Sequence, residues 1–398
     1  MKKVIIACYG GGHVTIAKRL YAAYKAHSYD VTILAFTMAT YELSRENIPF
    51  LSYVDFLDLY KNKNEAIETG SKLAVNIDEN SKINREETIA YLGLNFLELQ
   101  KTYGKEEAYN IYQKRGRYSF FPFEIMLQVL TKIKPDFVIT TNSPRSEAAV
   151  LLAAKKLKIP SYFINDFYNI NELNQRTGNP NYARKVFVAL PKIRDVFIEF
   201  GWNKNNVVCS GNPAFDDIFD KQKIIIAKNL MTEYFNNNKI NILYIGGNGE
   251  FTKKSDEVIM NTLETKIDSS KVNLIYRAHP NNKFDNVKEG IHYSPNNISV
   301  HSYLHISDLV INCSSTVGLE AYICGIPVIQ YIHEATEFPQ PFEYLGIGKQ
   351  ITNEEILLKE INHYINKNIK VLHDYNPNNK KSATDIIIYE IEKDLNNL

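Results

Sequence analysis

Ile311-Asn-Cys-Ser-Ser-Thr-Val-Gly-Leu-Glu320, running on through Ala321-Tyr-Ile-Cys324 to Gly325-Ile-Pro-Val-Ile-Gln330, is the stretch on which the fold turns. Residues 309–311 are a short apolar run and 317–324 have helical character; Gly325 then marks a helix stop before the next buried strand at 326–330. Strand, helix and strand in so short a span make one step of a parallel α/β sheet. Ser314, Ser315 and Thr316 fall where the chain turns into the helix, so their hydroxyls and the free N–H groups of the first turn point the same way. That suits an anion held without a lysine; the plainer reading is that the hydroxyls only cap the helix. Upstream, Arg277-Ala-His279-Pro280 closes another apolar run at 272–276.

The same plan extends in both directions. Apolar runs at 3–7, 31–35, 137–140, 161–164 and 186–189 predict strands of a first parallel sheet. Runs at 240–245, 272–276, 298–300, 309–312 and 328–331 predict those of a second. Each set opens on a glycine cluster, Cys8-Tyr-Gly-Gly-Gly12-His13 in the first and Tyr244-Ile-Gly246-Gly247-Asn248-Gly249 in the second. Glycine there lets backbone approach a ligand where a Cβ would block it. Neither loop is the G-x-G-x-x-G dinucleotide fingerprint, so no NAD is expected. Residues 59–107 read as polar helices inserted near the ligand end of the first sheet. Ser210-Gly-Asn-Pro213 reads as the connection between the halves, and residues 382–398 as an amphipathic helix able to pack back on the first domain.

At 398 residues and 45.7 kDa the chain exceeds one comfortable core. The expected layout is a first domain at 1–212, a second at 213–380, and a returning helix at 381–398. Forty-six basic against 45 acidic residues give a formal charge of +1, and no basic run interleaved with aromatics appears, so nucleic acid is not an expected partner. Cys8, Cys209, Cys313 and Cys324 are scattered in apolar surroundings and read as reduced core thiols, which points to the cytoplasm. No apolar run is long enough to span a bilayer. The aromatic stretch at 117–127, beside Lys114, Arg115 and Arg117, is a candidate for peripheral contact with the inner face of a membrane, although core filling is the stronger reading of it.

With these motifs in place, the chain resembles over nearly its whole length the GT-B superfamily of nucleotide-sugar glycosyltransferases, α/β proteins with two facing doubly wound Rossmann-like domains and a cleft between them. Gly10-Gly-Gly-His13 and Ser210-Gly-Asn-Pro213 look like the first loop and junction of MurG-type N-acetylglucosaminyltransferases. Arg277-Ala-His-Pro280 with the later Ser314-Ser-Thr316 looks like the elements by which bacterial sialyl-, polysialyl- and Kdo-transferases hold a nucleotide phosphate. The resemblance implies a nucleotide-activated sugar donor, UDP- or CMP-linked, and transfer to a saccharide or glycoconjugate acceptor, as in surface polysaccharide synthesis. NDP-sugar 2-epimerases share the two-domain plan and the Gly-Asn-Pro junction, so epimerisation or hydrolysis is the alternative; a non-catalytic sugar-nucleotide binding protein is another.

On this reading the donor site comprises Gly12, Gly246, Gly247, Asn248, Arg277, His279, Ser314, Ser315, Thr316 and Glu320. Arg277 would neutralise phosphate oxygens and the hydroxyls, with the helix N-terminus, would hold the rest; His279 would donate to phosphate or ribose, and Glu320, one turn into its helix, would accept from ribose hydroxyls, since a carboxylate beside a diphosphate is repelled. The acceptor's proton would go to His13, or to Asp166 at the end of the run 161–164. Ser143 reads as a cap of the following helix, with Arg145 facing acceptor or solvent. No D-x-D pair stands at a strand end, because Asp216 and Asp217 are adjacent, so no metal is expected.

Overall fold

The computed structural model describes residues 1–75, 81–166, 179, 180, 182–235, 237–247, 250–279, 289–333, 342–372 and 382–398. It divides into two compact units, Met1–Ala214 with Lys381–Leu398, and Phe215–Lys380.

The first unit is built on a seven-stranded sheet in the order β3-β2-β1-β4-β5-β6-β7. Its strands are β1 (Lys3–Cys8), β2 (Asp30–Ala35), β3 (Phe50–Leu51), β4 (Phe137–Thr140), β5 (Ser161–Asn165), β6 (Lys185–Val188) and β7 (Val207–Cys209), every neighbour parallel. β4, β5 and β6 are buried along their whole length, which is why they read as unbroken apolar runs. Chain order reverses between β1 and β4, and ligands in such sheets bind outside the carboxyl ends of strands at that reversal. The second unit repeats the design with β8 (Ile240–Ile245), β9 (Val272–Arg277), β10 (Ile291–Tyr293), β11 (Leu309–Asn312), β12 (Val328–Tyr331) and β13 (Lys349–Ile351) in the order β10-β9-β8-β11-β12-β13. All of these pairs are parallel too, and the reversal lies between β8 and β11.

One expected strand is not there. Ser299 accepts a hydrogen bond from His301 N and caps the helix Val300–Leu304, so 298–300 is a helix entry and the edge of the sheet is β10 instead. The edge strands β3, β7, β10 and β13, two or three residues each, carry too few apolar positions to be read from sequence. The cysteines are not all core thiols either: Cys8 and Cys313 are buried, but Cys209 at the β7 edge is exposed and Cys324 half-buried.

Between β3 and β4 the helical run goes past residue 107, with helices Lys63–Leu73, Arg85–Tyr103, Lys105–Arg115 and Phe123–Ile133. Two glycines let the first pair touch backbone to backbone. A Cβ on Gly93 would sit 1.9 Å from Ala66 O, and one on Gly70 2.0 Å from Ile89 O. The aromatic stretch serves this layer: Phe120 is fully buried and stacks on Tyr112 at 5.4 Å, and Phe121 and Phe123 pack on the same core, leaving Tyr118 exposed. Among the described residues no helix is long and apolar enough to cross a membrane.

Helix Ala383–Leu395, started by Ser382 accepting from Asp385 N, lays Ile387, Ile388 and Ile391 into the core around Ile6, Leu20 and Tyr24 of the first unit. Its polar side is fastened as well. Arg184 Nε and the Tyr162 hydroxyl both donate to Asp394 at 2.8 Å, and Lys185 pairs with Glu390 at 2.9 Å.

Candidate functional site

In the first unit the glycine loop after β1 and the end of β4 bring an imidazole between carboxylates. Gly11 takes a φ of 70° that suits glycine, and a Cβ on Gly10 would meet Met38 Cβ at 2.3 Å. Gly12 has room: a Cβ there would come no nearer than 4.0 Å to Asp166 Oδ2. His13 Nδ1 lies 2.8 Å from Thr141 Oγ1, whose hydroxyl donates to Glu147 Oε1 at 2.5 Å. Nδ1 is itself 3.3 Å from Glu147 Oε1, and Nε2 is 3.3 Å from Asp166 Oδ2. Tyr9 N also donates to Glu147 Oε1. Glu147 Oε2 and Asp166 Oδ1 are buried with no hydrogen-bond partner among the described residues.

Burial works against a charge on His13, but the hydrogen bond and charge of Glu147, with Asp166 beyond, outweigh it and raise the imidazole to about 9. Burial also lifts the Asp166 carboxyl, to about 6, against the pull of His13. At neutral pH the pair is therefore an imidazolium beside a carboxylate. Beside it, Arg145 Cζ lies 4.7 Å from the Tyr9 ring centroid and 5.7 Å from that of Tyr118, with Nη1 donating to the Tyr91 hydroxyl at 3.2 Å. Ser143 is not the cap of the helix Ser146–Lys156; its hydroxyl instead accepts from Arg145 N.

In the second unit Arg277 ends β9, and its Nη1 donates to Ser294 Oγ at 2.9 Å and to the carbonyls of Pro295 and Ile298. His279 follows half-buried, while Pro280 and Asn248 lie outside the described residues. Gly246 and Gly247 are required by packing: a Cβ would come within 2.6 Å of the Tyr276 hydroxyl and 2.2 Å of Thr252 Oγ1. Gly247 N is already taken by both oxygens of Asp256, which also accepts from the Tyr244 hydroxyl. After β11, Ser315 Oγ accepts from Val317 N at the start of helix Val317–Ile323, Ser314 is half-buried and Thr316 exposed. Glu320 is not an exposed first-turn carboxylate; it is 7 % exposed, with Oε2 2.6 Å from His301 Nε2. The contact of Lys223 with His301 and the charge partnership of Glu147 with His13 were not legible in the sequence, because each joins elements distant along the chain.

Two doubly wound units, each a wholly parallel sheet with its reversal at the glycine-loop strand, define the chain as a GT-B protein. Within that class the chain belongs to the UDP-N-acetylglucosamine 2-epimerase family, whose model matches residues 124–387. A structure described as S. aureus MnaA with UDP is similar, with a TM-score of 0.59 at 18% identity over 100% of this chain and 98% of that one. The UDP-GlcNAc 2-epimerase of Neisseria meningitidis bound to UDP-GlcNAc gives 0.56 at 15%, over 98% and 100%. MurG of Acinetobacter baumannii gives 0.57 at 14%, over 99% and 100%. At these identities the likeness is one of fold. No curated protein matches the chain. The family is one of epimerases, so the expectation of glycosyl transfer to a saccharide acceptor is overturned, and the epimerase alternative takes its place.

Proposed function

We propose that this chain inverts C2 of a UDP-linked N-acetylhexosamine without an acceptor. Family membership supports the reaction type, and the observation in the structure that carries the reading is the imidazolium–carboxylate pair of His13 and Asp166. The C2–H of a pyranose has no neighbouring carbonyl to stabilise a carbanion. Its proton leaves most readily when the C1–O bond to the diphosphate breaks in the same event, giving a 1,2-unsaturated sugar and UDP. Return of UDP to C1 with a solvent-derived proton delivered to the opposite face of C2, while the proton first removed passes to solvent, completes the inversion and balances atoms and charge.

In this scheme Asp166, ionised above about 6, takes the C2 proton, and His13, charged below about 9, offsets the negative charge gathering on the departing diphosphate. The base role weighed between His13 and Asp166 thus passes to Asp166, because an imidazolium has no lone pair to offer. In the second unit Arg277 and the hydroxyls of Ser314, Ser315 and Thr316 serve the diphosphate, and Glu320 the ribose diol. The reaction is tested by incubating the protein with UDP-N-acetylglucosamine in D2O and no acceptor. The expected result is the C2 epimer, with deuterium at C2 in both sugars. Product that forms only when a saccharide acceptor is added, or free sugar and UDP with no deuterium at C2, refutes it.

A further inference from the structure

Glu320 stands at the end of a connected series of side chains in the second unit. Asp217 pairs with Lys223, Lys223 Nζ lies 2.8 Å from His301 Nδ1, and His301 Nε2 lies 2.6 Å from Glu320 Oε2. An ammonium has only protons to give, so Nδ1 accepts from it and the ring hydrogen sits on Nε2, directed at Glu320. The members come from separate elements: the 3-10 turn Pro213–Phe219, helix Lys221–Tyr234, the Ser299-capped helix Val300–Leu304 and helix Val317–Ile323. Glu320 is nearly buried, so the direction of its carboxylate is fixed by whatever donates to it.

We infer that His301 is a positioning residue that turns the Glu320 carboxylate toward the vicinal diol of a bound ribonucleotide, with Lys223 and Asp217 selecting the tautomer that does so. This rests on the ribose contact proposed for Glu320. A carboxylate pinned at one oxygen presents the other at a set angle, and two adjacent hydroxyls are the group that reads such an angle; a single hydroxyl can follow a carboxylate that swings. Discrimination between ribose and deoxyribose therefore depends on a histidine that need not touch the ligand.

The test is calorimetric binding of UDP and 2′-deoxy-UDP. The wild type is expected to prefer UDP by about tenfold, the size of one hydrogen bond to a charged group. His301→Ala and Lys223→Met should each shrink the preference to about twofold or less, while His301→Gln, whose amide both accepts from lysine and donates to Glu320, keeps most of it. Lys223 is only half-buried, so Lys223→Met carries the test if His301→Ala does not fold. Wild-type preference in a folded His301→Ala or Lys223→Met protein overturns the inference, provided Glu320→Ala has lost that preference. If Glu320→Ala keeps it, the ribose contact itself is wrong and the inference goes with it.

Discussion

Removing the charge of Glu147 should return His13 to ordinary behaviour. The rise of the imidazole from 6.5 to about 9 amounts to roughly 3 kcal/mol of preference for its charged form. That preference is built against the cost of burial, and Glu147, 3.3 Å from Nδ1, is its chief source. Glu147→Gln keeps an oxygen to accept from Tyr9 N and the Thr141 hydroxyl but withdraws the charge. His13 should then titrate about two pH units lower, near 7, because an opposite charge at this range moves a pKa by about 1 to 3. The measurement is an NMR pH titration of the histidine ring carbons, with His13→Gln identifying the signal among the nine histidines. The sign for stability follows from a raised folded-state pKa: the contribution of His13 is fully present below 6.5 and is lost as pH rises through about 9. Glu147→Gln should flatten that loss. A wild-type His13 titrating at or below 6.5, or one that stays near 9 in Glu147→Gln, would refute the electrostatic account of the site.

The rate of C2 exchange should form a bell against pH, rising as Asp166 ionises through about 6 and falling as His13 loses its proton through about 9; a profile flat across either limb, with chemistry limiting, counts against the assigned roles. Arg277→Ala should weaken UDP binding by about 1.5 to 3 kcal/mol and uridine binding much less, and equal losses in calorimetry would make Arg277 merely the clasp of the 294–298 turn that it holds. Gly93→Ala should destabilise the first unit by about 1 to 3 kcal/mol, since the new methyl has no room against Ala66 O. An unchanged melting temperature would show that the two helices part without cost.

The reading from sequence reached the parallel, doubly wound plan because buried central strands such as Phe137–Thr140 and Leu309–Asn312 are apolar without interruption. It failed at the rims, where Ile291–Tyr293 is only partly buried and the run 298–300 imitates a strand that a serine cap turns into a helix. His13 and Asp166 were visible because each follows a strand, whereas their electrostatic state was not, since Glu147 reaches His13 from 134 positions away in the chain only through the pairing of β1 with β4. The glycines at 246 and 247 suggested ligand approach, and the structure adds a packing reason in Tyr276 and Thr252 that the sequence did not show. The choice between transfer and epimerisation lay beyond the motifs, because a phosphate-holding strand end serves either chemistry.

The first unit is completed by residues 381–398, so the whole of Phe215–Lys380 is spliced into it as a covalent insertion. During synthesis the ribosome must make the second unit before the last helix emerges. Until then the first unit lacks Ile387, Ile388 and Ile391 and presents to solvent the apolar ground around Ile6, Leu20 and Tyr24 that they cover. At about 5–20 residues per second the 166-residue span 215–380 keeps that ground uncovered for about 10 to 30 seconds, long enough for a chaperone to find it. The final helix thus acts as a latch on the timing of folding, and chains stalled within the second unit are the ones expected to aggregate.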